Sequence, residues 1–376
     1  MGLLKGTWTF SRFYVLGNLP EQSNSFIDEG LKKNAFPDFT GKFSEMSVGW
    51  TDIENIIDTD FKYAKYNCGS YLIFSLRIDR RSLPPALLKL KVMEKEKKYL
   101  AENDNKRLYR QEKEEIKERT RLELLERALP VPSFYEVCWS SSKNTVIFGS
   151  HSDKVTEAFQ KLFKESFQLN LLPYLPWLPE NEENIYYNYT KERGKVASDD
   201  PPYDKQPSAA MPFVGREFLT WLWFKTEEKN GIIDVPDVGE NEVIFLQRLV
   251  LASGDGEYSE TVVCRGIHAD MQEGREALRR GKKIKEARLK VVKDDAKWEF
   301  TLKADMFRFQ SLKLPATFEP EEDIDRDGRN LERIYLVEKI INVMDRLFAV
   351  FMQIRNSSRW EKDELPRLEK WINKLN

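Results

Sequence analysis

The sequence predicts an α+β protein of mixed antiparallel sheets with a projecting helical hairpin. Three observations carry this. Apolar runs of strand length, rich in aromatic and β-branched residues, recur along the chain: Thr7–Leu16, Tyr71–Ile78, Phe134–Trp139, Thr145–Phe148, Val243–Ala252, Ser259–Arg265, Ile284–Val292 and Ala296–Lys303. Such residues fit a pleated, half-buried surface. Between two of these runs, residues 86–128 contain no Gly and no Pro and are crowded with Lys, Glu, Arg and Leu, all good helix formers. Near the end of the chain, Leu336, Ile340, Val343, Met344, Leu347, Val350 and Phe351 recur with helical spacing within Leu331–Ile354.

Taken in order, Thr7–Leu16 reads as a first strand and Glu21–Asn34 as a short amphipathic helix carrying Phe26, Ile27 and Leu31 on one face. Phe43–Trp50 leads into a polar turn, and Phe61–Asn67 is placed to pair with Tyr71–Ile78. Pro84 and Pro85 close that strand and suit the first turn of a helix. A single helix over 86–128 would be about 65 Å long. The Glu102-Asn-Asp-Asn105 cluster favours caps and turns, so we read two helices, 85–102 and 106–128. Their apolar stripe is narrow: Leu87, Leu88, Leu90 and Met93, then Ile116, Leu122, Leu124 and Leu125. Either this stripe packs on its own sheet, as apolar helix faces usually do, or the hairpin projects and offers its end, Leu124 to Leu129, to a partner. Val155–Phe167 is a second amphipathic helix, and Leu169–Leu178 a proline-punctuated connector. Residues 180–212 are polar and proline-bearing and read as an insertion or linker. The aromatic stretch Gly215–Phe224 is a buried helix or strand. Val243–Ala252 and Ser259–Arg265 form a hairpin, Met271–Arg280 a helix ending at Gly281, and Ile284–Val292 and Ala296–Lys303 two strands around Lys293-Asp294-Asp295. Residues 316–330 form an acidic loop, and the last twenty residues a mixed amphipathic tail.

The totals bound the function. The 376 residues suffice for two or three subdomains. Lys plus Arg (60) nearly balances Asp plus Glu (62), so any nucleic-acid binding must come from segregated charge. The cysteines Cys68, Cys138 and Cys264 are odd in number and widely spaced, which fits a reducing cytoplasm without a disulfide framework. No apolar run approaches the roughly 20 residues that span a bilayer, and Met1–Pro20 lacks a signal-peptide core.

The strongest functional signal is charge segregation within 265–297. Arg275, Arg279, Arg280, Lys282, Lys283, Lys285, Arg288, Lys290, Lys293 and Lys297 stand against Glu276, Glu286, Asp294 and Asp295, with Arg265 and His268 just before them. Such cations can neutralise phosphates and release counterions; they can equally form a solvated face with local ion pairs. We take Arg265, His268, Arg275, Arg279, Arg280, Lys282, Lys283, Lys285 and Arg288 as the candidate DNA contacts. Asp323-Ile-Asp325-Arg-Asp327-Gly328 matches the opening of a calcium loop, but the twelfth position is Ile334 instead of a bidentate Glu. An acidic turn capping the following helix is the better reading. No nucleophile elbow, phosphate loop, dinucleotide fingerprint or zinc-protease motif is present. The two histidines, His151 and His268, have nothing in the sequence to place them together. No catalytic residue, metal site or cofactor is assigned.

The order of these parts resembles the RdgC family of recombination-associated proteins. The similarity lies in Met46-Ser-Val-Gly49-Trp50, in the strand at Tyr71–Ile78 before the Lys/Glu-rich helical pair ending Leu124-Leu125-Glu126-Arg127-Ala128, in Trp139 on the next strand, and in the segment Lys161–Pro176. Further on it lies in Arg279-Arg280-Gly281-Lys282 ahead of strands and in Asp323-Ile324-Asp325-Arg326 ahead of the final helix. The resemblance implies a non-enzymatic, cytoplasmic, nucleoid-associated protein. It would form a ring-shaped homodimer whose basic inner surface encircles double-stranded DNA without sequence specificity and restrains a RecA-type recombinase. It also implies that the hairpin closes one dimer contact through Leu124, Leu125 and Leu129, Leu129 falling near a family aromatic, and that Lys282 matches a family lysine. The expected organisation is a central α+β domain from 1–84 and 130–180, a helical tip over 85–129, an insertion over 181–214 and a second α+β base domain over 215–376. Two other classes stay open: a metal-dependent nuclease using carboxylates such as Asp323 and Asp325, and a protein-interaction scaffold without DNA affinity.

Overall fold

The computed structural model describes residues 2–20, 22–37, 44–61, 65–103, 107–177, 214–253, 260–265, 272–316 and 326–374. The stretch 180–212, His268, Asp323 and Asp325 lie outside them. The described chain is a mixed α+β protein whose thirteen strands join in one sheet with antiparallel pairing.

Strand β1 (Trp8–Leu16) sits in the middle of the strand order. To one side follow β6 (Thr145–Phe148), β5 (Pro130–Ser140), β4 (Tyr71–Arg81) and β2 (Met46–Thr51), with the short β3 (Asn67–Cys68) on β4. To the other side β1 pairs with β13 (Arg308–Lys313), followed by β12 (Ala296–Lys303), β11 (Lys283–Lys293), β9 (Gly239–Ala252) and β10 (Thr261–Arg265), with β8 (Ile232–Val235) on β9. The chain's two halves therefore share a sheet. The end of β1 also pairs with β7 (Asn170–Pro173), which the sequence marks only as a connector; among the described strands β7 pairs with β1 alone, and an edge strand tolerates the missing N–H of Pro173. Strand β13 has no counterpart among the sequence-predicted elements. Its polar Gln310 and Ser311 interrupt the apolar pattern, and Ser311 takes a positive φ of 52° at a register shift.

The alternation of β1 serves two cores. Trp8 and Phe10 belong to one, Phe13 and Val15 to the other. Helices α1 (Ser23–Lys33) and α4 (Asp153–Phe167) cover one face of the N-terminal half. There Phe159 stacks on Phe148 with ring centroids 3.9 Å apart, and Trp139 meets Phe163 edge-on. The opposite face is covered along both halves by α7 (Arg326–Arg355), whose Ile334, Val337, Ile340, Val343, Met344, Leu347 and Phe351 are buried. Helix α5 (Val214–Glu228) joins α7 over β11, so the aromatic stretch Gly215–Phe224 is a helix. It is buried on nearly every side because Trp221, Trp223 and Phe224 meet Phe351 and Trp371. Helix α6 (Gln272–Arg279) follows β10. A π-helical turn (Trp360–Glu364) and α8 (Leu365–Asn373) close the chain against α5, with Lys225 paired to the buried Glu364 at 2.8 Å.

Helices α2 (Pro85–Glu102) and α3 (Arg110–Arg127) form the hairpin. The second starts at Arg110, later than the expected 106, because the Glu112 carboxylate accepts the Tyr109 N–H and the Tyr99 hydroxyl there. Helix α2 buries no residue, so its stripe does not pack on the sheet. At the root, Arg81 donates to the carbonyls of Leu125, Glu126 and Ala128, satisfying the acceptors at the end of α3.

Helix α5 approaches a 3-10 turn (Ala304–Met306) so closely that a Cβ on Gly215 would lie 2.1 Å from the Ala304 carbonyl oxygen. Arg216 clamps the same turn through Asp305 at 2.5 and 2.9 Å. Gly215→Ala should therefore cost about 1–3 kcal/mol, seen as a lower urea midpoint with the slope preserved. An unchanged midpoint would show that the helix and turn part freely.

Candidate nucleic-acid interface

Strict alternation on β11, β12 and β13 separates two surfaces. Ala287, Leu289 and Val291 pair in register with Leu302, Phe300 and Trp298, and all six are buried beneath the helices. The residues between them point the other way: Glu286 opposite Lys303, Arg288 opposite Thr301, Lys290 opposite Glu299 and Val292 opposite Lys297. Strand β13 extends the pattern, with Arg308 opposite Lys303, Gln310 opposite Thr301 and Lys313 opposite Glu299. This face runs for about 20 Å along β11 at roughly 3.4 Å per residue.

It carries six cations, Arg288, Lys290, Lys297, Lys303, Arg308 and Lys313, against two acids, Glu286 and Glu299. Arg288 lies 3.4 Å from Glu299, Lys303 3.8 Å from Glu286, and Arg308 3.7 Å from Asp153 at the start of α4. Arg248 on β9 also approaches Glu286, at 3.6 Å, and stands across from Arg265 at the end of β10. Lys290, Lys297 and Lys313 make no ion pair among the described residues. A row of such cations in water has the charge to attract a polyanion, whose binding would release counterions.

The sequence-predicted contacts are divided among several places. Arg288 and Arg265 lie on or beside this face. Arg275 is buried against Glu227 at 2.5 Å and over the Trp371 ring, and Arg279 donates to the carbonyls of Ile372 and Lys374. Both hold the C-terminal helix in place. Lys283 reaches Glu217 at 3.0 Å and Lys285 reaches Asp305 at 3.9 Å, on the helix side of the sheet. The side chain of Lys282 is buried against Glu260 at 2.6 Å. Arg280 is exposed beside Glu276. Lys290 and Lys297 were counted in the charge cluster but not taken as contacts, and Lys303, Arg308 and Lys313 were not singled out; the signal that joins them to this face is their alternation on β11, β12 and the unread strand β13. Helix α7 begins at Arg326, so Asp327 and Gly328 of the calcium-like motif lie in its first turn. Among the described residues no group of three His, Cys, Asp or Glu side chains is placed to hold a metal ion, and no helix is long and apolar enough to cross a membrane.

On the hairpin, Leu129 is 84 % exposed, Leu124 is half-buried and Leu125 is buried within the chain. Leu90 and Met93 are exposed on α2.

The fold is that of a mixed α+β protein with an antiparallel sheet, a projecting helical hairpin and a cationic sheet face. Residues 12–183 match the family model described as "Putative exonuclease, RdgC". That stretch, somewhat under half of the chain, is similar to the RdgC family. The matched stretch begins within β1, at Arg12, and extends through β7; the strands of the cationic face follow it. No curated protein matches the chain.

His151 borders the cationic face: Arg308 donates to its carbonyl, and its Nε2 lies 2.9 Å from the Phe10 carbonyl. Burial pulls the imidazole down from 6.5 to about 4, and the nearby Arg308 and Lys303 charges act in the same direction. Between those values the unfolded chain binds the extra proton and the folded chain does not, so stability falls as pH drops from about 6.5 to about 4. His151→Gln should flatten that loss in urea midpoints taken across the range. Identical profiles for both proteins would remove His151 as the titrating group.

Proposed function

We propose that this protein binds double-stranded DNA through backbone phosphates, without sequence preference and without making or breaking a bond. The single observation that carries the reading is the open face of β11–β13, where Lys290, Lys297 and Lys313 have no ion-pair partner among the described residues. Over about 20 Å a duplex presents roughly a dozen phosphate charges, enough to occupy all six cations. Lysines met by phosphate position a protein on DNA but read no bases.

In the same proposal the protein is a ring-shaped homodimer closed in part by the hairpin, with Leu129 as its exposed contact and Leu124 beside it. It associates with the nucleoid and occludes duplex from a RecA-type recombinase. The similarity of residues 12–183 to the RdgC family supports this part of the reading. The family description also names an exonuclease, so a metal-dependent nuclease is the second reading.

The test is anisotropy with linear duplex across a salt series, with and without Mg²⁺. If about eight phosphates are contacted per dimer, log K should fall with log[salt] at a slope of roughly −7. Exchanging Lys290, Lys297 and Lys313 for Gln should weaken binding for every sequence and make the slope shallower by about 3 per protomer, about 6 per dimer if both faces bind. Arg275→Gln and Arg279→Gln should instead lower the melting temperature and leave the slope in place. An unaltered slope in the triple variant would falsify the assignment of the face, and Mg²⁺-dependent shortening of the duplex would put the nuclease first.

A further inference from the structure

On the helix side of the sheet, away from the lysine face, a cavity of about 230 Å³ opens between β1, the β5–β6 turn and α7. Two clusters of charge wall it. Arg12 grips Asp345 at 2.6 and 3.0 Å, lies 4.0 Å over the Tyr174 ring, and shares Asp345 with the Tyr174 hydroxyl at 3.0 Å. Both Asp345 oxygens are used, so this cluster is closed. The second cluster is open. Glu338 accepts the Tyr71 hydroxyl and the Lys143 ammonium, each at 2.7 Å, on one oxygen, Oε2. Its Oε1 has no partner among the described residues, and neither does the Thr145 hydroxyl or the Asn342 amide, which also line the cavity. Ile147 and Ile341 supply apolar wall.

The cations here are already neutralised, by Asp345 and by Glu338, and what remains unused is chiefly acceptor capacity. Glu338 and Asn342 lie four residues apart on one face of α7. A primary ammonium offers three N–H donors and no acceptor. We propose that this cavity binds a small organic molecule with a primary ammonium and a compact apolar body. The ammonium sits between Glu338, Asn342 and Thr145, and the body lies on Ile147 and Ile341. Lys143, whose side chain is 54 % exposed, competes for Glu338 and holds the site in the absence of a ligand.

The probes are phenethylamine and its carboxylate counterpart 3-phenylpropionate, titrated by calorimetry and ligand-observed NMR against the full chain. Phenethylamine should bind and 3-phenylpropionate should not. Glu338→Gln keeps an acceptor for Tyr71 but loses the charge, and should weaken phenethylamine roughly tenfold or more. Lys143→Ala, on an exposed turn, removes the competitor and should tighten it several-fold. Equal binding of the two probes, no binding of the amine, or a Lys143→Ala affinity that stays level or drops would each overturn the proposal.

Discussion

Strand β1 is the constraint on which the rest of the structure depends. Its two faces feed different cores, with Trp8 and Phe10 turned toward one and Phe13 and Val15 toward the other. Arg12 ties the strand to α7 through a two-point contact with Asp345 that is largely shielded from water. A buried guanidinium left without its carboxylate is costly, so the pair fixes which face of β1 the helix covers. Because β1 also hydrogen-bonds β13 on one side and β6 on the other, that choice is passed to both halves of the sheet.

The cationic face follows from unequal coverage. Helix α7 runs behind both halves, but α1 and α4 cover the front of the N-terminal half. On β11–β13 the front face carries charge in place of the aromatic cluster that α4 meets around Phe148 and Phe159. Burying that many lysines under a helix would strand their charge in a dry interior. Three cations of the same region turn inward against carboxylates: Arg216 on Asp305, Arg275 on Glu227, Lys225 on Glu364. On the front such pairing is incomplete, which leaves a surplus of positive charge facing water.

Much of this was legible in the sequence. The helical pair was visible because 86–128 lacks any breaker, and Glu112 explains why its second member begins a turn late. Strands β4, β5, β11 and β12 were visible through residue type. Strand β13 was not, since its twist at Ser311 breaks the alternation that would announce it. The cationic face was legible as a region but not as a surface. Counting cations from Arg275 to Lys297 found the excess, but a linear count cannot see that α6 and the start of β11 spend theirs on Glu227, Glu217 and Asp305. Period-two bookkeeping separates Lys290 and Lys297 from Lys283 and Lys285, and it needs the strand boundaries first.

The composition of the face also bears on selectivity. Base recognition needs side chains that enter a groove and present fixed donor and acceptor pairs. On the front of β11–β13 the long side chains are lysines and arginines standing on a sheet, with short Thr301 and Val292 between them. Lysine is a flexible point charge, suited to following phosphates at many registers. Glu286 and Glu299 each neutralise part of their surroundings, so the positive surplus of the face rests on Lys290, Lys297 and Lys313.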